Sequence, residues 1–121
     1  MGAEQFESQC IAETAEDAFN RCVSQALYDY GHAGYTGTIA EKSDYTEVRV
    51  PEGLDLDTFL KWSAELEWGD VKDKIPPHHM AAVERAAAIY DDKWGPALCV
   101  QDPPTEPGQD PGWVFCGWAS S

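Results

Sequence analysis

The residues best suited to chemistry crowd into one stretch, Gly31-His-Ala-Gly-Tyr-Thr-Gly-Thr-Ile-Ala-Glu-Lys42. Gly31, Gly34 and Gly37 permit positive φ or close backbone approach. His32, Tyr35, Thr36 and Thr38 supply neutral donors and acceptors, and Glu41 and Lys42 supply charge. Such a turn can hold a small polar ligand, a nucleotide for example. His32 with Glu41 has the makings of an acid/base pair, although no nucleophile or oxyanion arrangement can be assigned beside it. Two features argue the other way. The turn follows the end of a helix, the negative end of its dipole, whereas phosphate cradles open onto a helix start. The stretch also matches neither the P-loop nor the dinucleotide fingerprint. The alternative reading is a glycine helix cap leading into an edge strand, in which Tyr35 and Thr36 point to opposite faces.

Other chemistry-bearing residues are more scattered. His78-His79 points in two directions from one helix turn, which makes a poor chelator and reads as a solvated first turn. Cys10, Cys22, Cys99 and Cys116 contain no C-x-x-C pair, so no metal or other cofactor is implied. Cys99 and Cys116 fall in two segments expected to pair and can be neighbours there. In a reducing compartment all four are expected as thiols. Trp94, Trp113 and Trp118 can line a binding groove with Tyr35, or serve as core. The candidate ligand-binding set is therefore His32, Tyr35, Thr36, Thr38, Glu41, Trp94 and Trp113.

These residues need elements to position them, and the chain of 121 residues is one domain's worth. Residues 4–12 alternate weakly, as a short strand does. Thr14 reads as a helix N-cap. Ala15, Ala18, Phe19, Cys22, Val23, Ala26, Leu27 and Tyr30 then form one apolar stripe, ended by Gly31. Residues 35–42 and 45–50 read as two strands joined at Ser43-Asp44. Asp55 or Asp57 caps a second helix, and 70–74 is a charged surface connection. Pro76-Pro77 opens a third helix, whose buried face is marked by Met80, Val83, Ala87, Tyr90 and Trp94. Residues 97–101 and 113–118 read as the last two strands, a hairpin with a long proline-rich loop over 102–112. The fold class expected is α+β: an antiparallel sheet of four to five short strands packed by three helices, in a single domain over 1–121.

Charge narrows the partners. Eight basic residues face 22 acidic ones, a formal net charge of −14. That field repels nucleic-acid phosphates and anionic membranes, so direct nucleic-acid binding is not expected. Carboxylates in rows can mimic DNA, but here they are spread evenly, as on a simply solvated surface. The start has no basic, apolar signal pattern and no stretch suits a membrane span, so the cytosol is the expected compartment.

Three segments together resemble small uncharacterised proteins of tailed bacteriophages, actinobacteriophages especially. They are 14–19 leading to 30–42, then Asp92-Lys-Trp-Gly-Pro-Ala97, then Val114-Phe-Cys-Gly-Trp-Ala119. The resemblance spans most of the chain, and GYTGTIAEK is its most specific part. It implies a phage accessory protein in bacterial cytoplasm and carries no assigned activity. The expectation is a non-enzymatic binding protein that engages a host macromolecule or sequesters a small ligand, in a role such as counter-defence, with a host protein or a small polar ligand as partner. The alternatives are a small enzyme acting on a nucleotide or modified base at the Gly31–Lys42 turn, and a self-assembling structural component.

Overall fold

The computed structural model describes residues 2–31, 34 and 36–121. The elements run in chain order β1 (Ala3–Ile11), α1 (Ala15–Tyr30), β2 (Tyr45–Glu47), α2 (Leu56–Glu65), α3 (Pro77–Asp91), β3 (Ala97–Asp102) and β4 (Gly112–Ser120). Two 3₁₀ turns, Ile39–Glu41 and Lys72–Lys74, lie between them. The α+β class holds. The sheet has four strands in the order β1-β4-β3-β2. It is mixed: β1 and β3 flank β4 antiparallel, while β2 runs parallel to β3.

The parallel strand corrects the expected all-antiparallel sheet, and its cause is local. Residues 36–42 do not form a strand. The Thr38 hydroxyl accepts from the Ala40 N–H at 3.2 Å and caps the turn over Ile39–Glu41, so no hairpin forms at Ser43-Asp44. β2 joins β3 instead, and the chain between them crosses over through α2 and α3, as a parallel pair requires. Strand β2 is also shorter than the alternation over 45–50 predicted.

The local signals explain the rest. The Thr14 hydroxyl accepts from the Asp17 N–H at 3.2 Å, and Gly31, at φ 84°, closes α1 by donating its N–H to the Leu27 carbonyl at 2.9 Å. Asp55 caps α2, and Pro77 sits in the first turn of α3. Residues 103–110 of the proline-rich loop are exposed.

Strand alternation gives the sheet two buried faces. On one face Phe6, Ala97, Cys99, Trp113, Phe115 and Ala119 pack with Ile39 and the α1 stripe. Phe19, Tyr45 and Phe115 meet there with ring centroids 5.1–5.7 Å apart. On the other face Leu98, Val100 and Cys116 pack with α2 and α3 through Phe59, Val83, Ala86 and Tyr90. The result is a helix–sheet–helix sandwich. Tyr30, expected on the buried stripe, is 64% exposed and stands at the cleft between α1 and β1. Met80 is only half-buried.

Candidate functional site

Strand β1 is an edge of the sheet, and its hydrogen bonding fixes which groups are open. Gly2 and Ser121 exchange both backbone bonds, at 3.0 and 3.1 Å, and the Ala12 N–H donates to the Pro111 carbonyl at 3.2 Å. With the pairing register Ala3↔Ser120 to Ile11↔Gly112, even-numbered residues of β1 bond to β4. Odd-numbered residues point their N–H and C=O groups away from it. The Ile11 carbonyl is taken by Arg21 Nη1 at 2.8 Å. Gln5, Glu7 and Gln9 carry no backbone partner among the described residues.

That open edge lies in a cleft of about 500 Å³. One wall is the strand from Glu4 to Cys10. The other is the α1 face of Cys22, Gln25, Ala26, Asp29 and Tyr30, and Thr36–Thr38 lie at one end. A second cleft of about 800 Å³ continues along the same helix, shares Gln9, Cys10 and Gln25, and ends at Tyr28. Tyr28 and Tyr30 are exposed aromatics. Glu4 and Asp29 bring their charges to the first cleft and no basic residue is in its described lining, whereas Glu7 borders it at the strand edge and also lines a cleft on the α2–α3 side.

The Gly31–Lys42 stretch contributes to this cleft differently from expectation. His32 and Tyr35 lie outside the described residues. Thr36, Thr38 and Glu41 do come together. Glu41 Oε2 accepts from the Thr36 N–H at 3.1 Å and from its hydroxyl at 2.7 Å, and the two threonine hydroxyls are 2.8 Å apart. Their hydrogen bonds are therefore largely spent on one another and on the turn. Gly37, at φ 72°, donates its N–H to the Ser120 carbonyl at 2.8 Å, and a Cβ there would run into the Glu4 side chain. Ile39 is fully buried.

Lys42 is the residue whose role the sequence concealed. It is 5% exposed, and its Nζ donates to the carbonyls of Asp92, Lys93 and Gly95 at 3.0, 3.2 and 3.0 Å. Burial pulls the ammonium below its usual range, while the charge of Asp92 pushes the other way. Lys42 thus holds the turn that follows α3.

Of the two readings of the tryptophans, groove or core, Trp113 takes the core one, and the three lie apart from one another. Trp113 is buried in the α1-side core, and its Nε1 donates to the Ala12 carbonyl at 3.0 Å. Trp118 packs against the opposite face. Trp94, expected on the buried face of α3, lies beyond its end and is 69% exposed, with Lys93 Nζ 4.9 Å from its ring centroid. The histidine pair also departs from a solvated turn: His78 is exposed, but His79 is buried.

Cys99 and Cys116 lie on paired strands but one residue out of register, so they face opposite sides of the sheet. The close pair is Cys10 and Cys22, whose sulfurs are 2.7 Å apart. Among the described residues no group of three or more His, Cys, Asp or Glu side chains could hold a metal ion, and no helix is long and apolar enough to cross a membrane. Comparison with protein-family models, with curated proteins and with solved structures finds no match.

Proposed function

We propose that this chain is a non-enzymatic binding protein whose β1–α1 cleft takes an extended, basic segment of a partner protein as a fifth strand. In keeping with the resemblance to small phage proteins, the partner would be a host protein. The observation that carries the reading is the run of outward backbone groups at Gln5, Glu7 and Gln9, without a backbone partner among the described residues, inside an anionic, tyrosine-flanked cleft. Strand addition draws affinity from main-chain bonds and specificity from alternate side chains. Carboxylates on a strand edge ordinarily discourage pairing with another copy. On a chain of charge −14 they repel a second copy, yet attract lysine and arginine.

The reading is tested with labelled alternating peptides of one length, lysine–valine against glutamate–valine, by fluorescence anisotropy at two salt concentrations. The basic peptide binds, salt weakens it, and the amide NMR signals of Gln5, Glu7 and Gln9 shift. Glu7→Pro removes an outward N–H and leaves the ladder to β4 intact, so it abolishes binding in a folded protein. Equal binding of both peptides, or full binding by Glu7→Pro, overturns the assignment.

A further inference from the structure

We propose that Cys10 and Cys22 form a redox-active pair that closes reversibly to a disulfide between β1 and α1, by exchange with a small disulfide of the oxidised-glutathione class. The inference stands apart from the partner-binding reading and needs no partner for its test.

The geometry is specific to this pair. A sulfur–sulfur distance of 2.7 Å falls between a covalent bond, about 2.05 Å, and the roughly 3.5–4 Å of non-bonded heavy atoms in contact. Bond formation requires a shift of well under 1 Å. The two residues sit on elements joined by only three residues, 12–14, so packing α1 onto the inner face of β1 fixes them opposite each other. Neither of the other cysteines has such a neighbour. Cys99 and Cys116 are fully enclosed on opposite faces of the sheet.

Access separates the roles of the two thiols. Cys10 is half-buried and lines both clefts, so a small disulfide reaches it from the groove. Cys22 is buried, and its S–H donates to Cys10 Sγ. Burial, and then the contact with Cys10, push the Cys22 thiol well above its usual range. Cys10 is therefore the attacking group and Cys22 the resolving one. The Cys10 thiolate attacks one sulfur of the small disulfide, forming a mixed disulfide and expelling one small thiolate. That thiolate, or water, takes the Cys22 proton. The Cys22 sulfur then attacks Cys10 Sγ and expels the second small thiolate. Two protein thiols lose two electrons and two protons, and one small disulfide becomes two small thiols. The bond staples the wall shared by the two clefts.

The test uses the full reduced chain, incubated over a series of oxidised-to-reduced glutathione ratios, quenched, alkylated under denaturing conditions and mapped by mass spectrometry. The expected result is loss of two of the four alkylatable thiols within one chain, a cross-linked Cys10–Cys22 peptide, and reversal by dithiothreitol. Cys22→Ser accumulates the glutathione adduct on Cys10, because the resolving thiol is gone. Cys10→Ser shows no cross-link and leaves Cys22 unmodified. Circular dichroism confirms that both variants are folded. Retention of all four thiols at the most oxidising ratio, pairing of any other cysteines, or an equal adduct on Cys22 in Cys10→Ser overturns the proposal.

Discussion

Replacing Lys42 with methionine tests the central structural claim about the Gly31–Lys42 stretch. The substitution keeps a long unbranched side chain, one atom shorter, and removes the donors from three carbonyls at 3.0–3.2 Å. Hydrogen bonds to a charged group contribute about 1.5–3 kcal/mol each in the folded state. Two effects reduce that sum. The ammonium loses its hydration on burial, and residues 92–95 are exposed or half-buried, so their carbonyls regain some water. A net loss of about 2–4 kcal/mol follows. For a chain of this size about 1 kcal/mol corresponds to about 4 °C in Tm, so Tm falls by about 8–16 °C. Lys74→Met, at an exposed position, removes the same charge and is the control. Thermal melts by circular dichroism and urea titrations measure both. A Lys42→Met variant within about 0.5 kcal/mol of Lys74→Met would refute the anchoring role. Lys42→Arg does not restore stability, because a planar fork cannot address three carbonyls converging on one atom.

The remaining predictions concern pH, a glycine and the ladder. Burial raises Cys99 and Cys116 from 9.0, and Tyr90 from 10.0, each to about 12. Their contribution to stability is complete below pH 9 and is lost as pH rises towards 12, because the unfolded chain releases these protons first. With both thiols in the window the slope is about 3 kcal/mol per pH unit. Lys42 titrates in the opposite sense, one group against several. Urea midpoints under reductant from pH 8 to 11 should fall steeply above 9; a flat profile contradicts the burial argument. Gly37→Ala forces a left-handed residue against Glu4 and costs about 1–2 kcal/mol by urea unfolding; an unchanged midpoint shows that the loop relaxes freely. Ser8→Pro removes an inward ladder N–H and destabilises the fold by about 2 kcal/mol or more, in contrast to Glu7→Pro. If both prolines cost the same, the register of β1 is wrong.

Much of the fold was legible because its signals are local. Thr14, the α1 stripe and Gly31 fix one helix, and Asp55 and Pro77 start the other two. The stretch 36–42 misled because a run of hydroxyl and β-branched residues has strand composition, while Thr38 and Glu41 favour a capped turn. Once that strand is lost, the direction of β2 follows from a crossover, which no local signal records. The Cys10–Cys22 contact was half legible: Cys10 lies on the strand face that carries Phe6, and Cys22 on the helix stripe. Only the docking of that stripe onto that face makes them a pair. Trp113 and Trp118 could be separated by parity alone, since one is odd-numbered and the other even-numbered in the same strand.

The segments that look most distinctive are spent on architecture. Lys42 joins the Gly31–Lys42 stretch to the turn at Asp92–Gly95, and Gly37 joins it to the end of β4 at Ser120. Ile39 fills the core beside Phe115 and Ala119. Three stretches far apart in the chain are thereby locked into one corner, which accounts for a buried lysine and a left-handed glycine without any ligand. The threonines and Glu41 that offered the most chemistry serve the same turn. The binding surface proposed above lies instead where the sequence is least distinctive. β1 is such a place: an acidic, glutamine-rich strand whose outward backbone groups and inward Cys10 border two clefts beside α1. Its chemistry comes from being an edge, a property of the sheet order rather than of any residue in it.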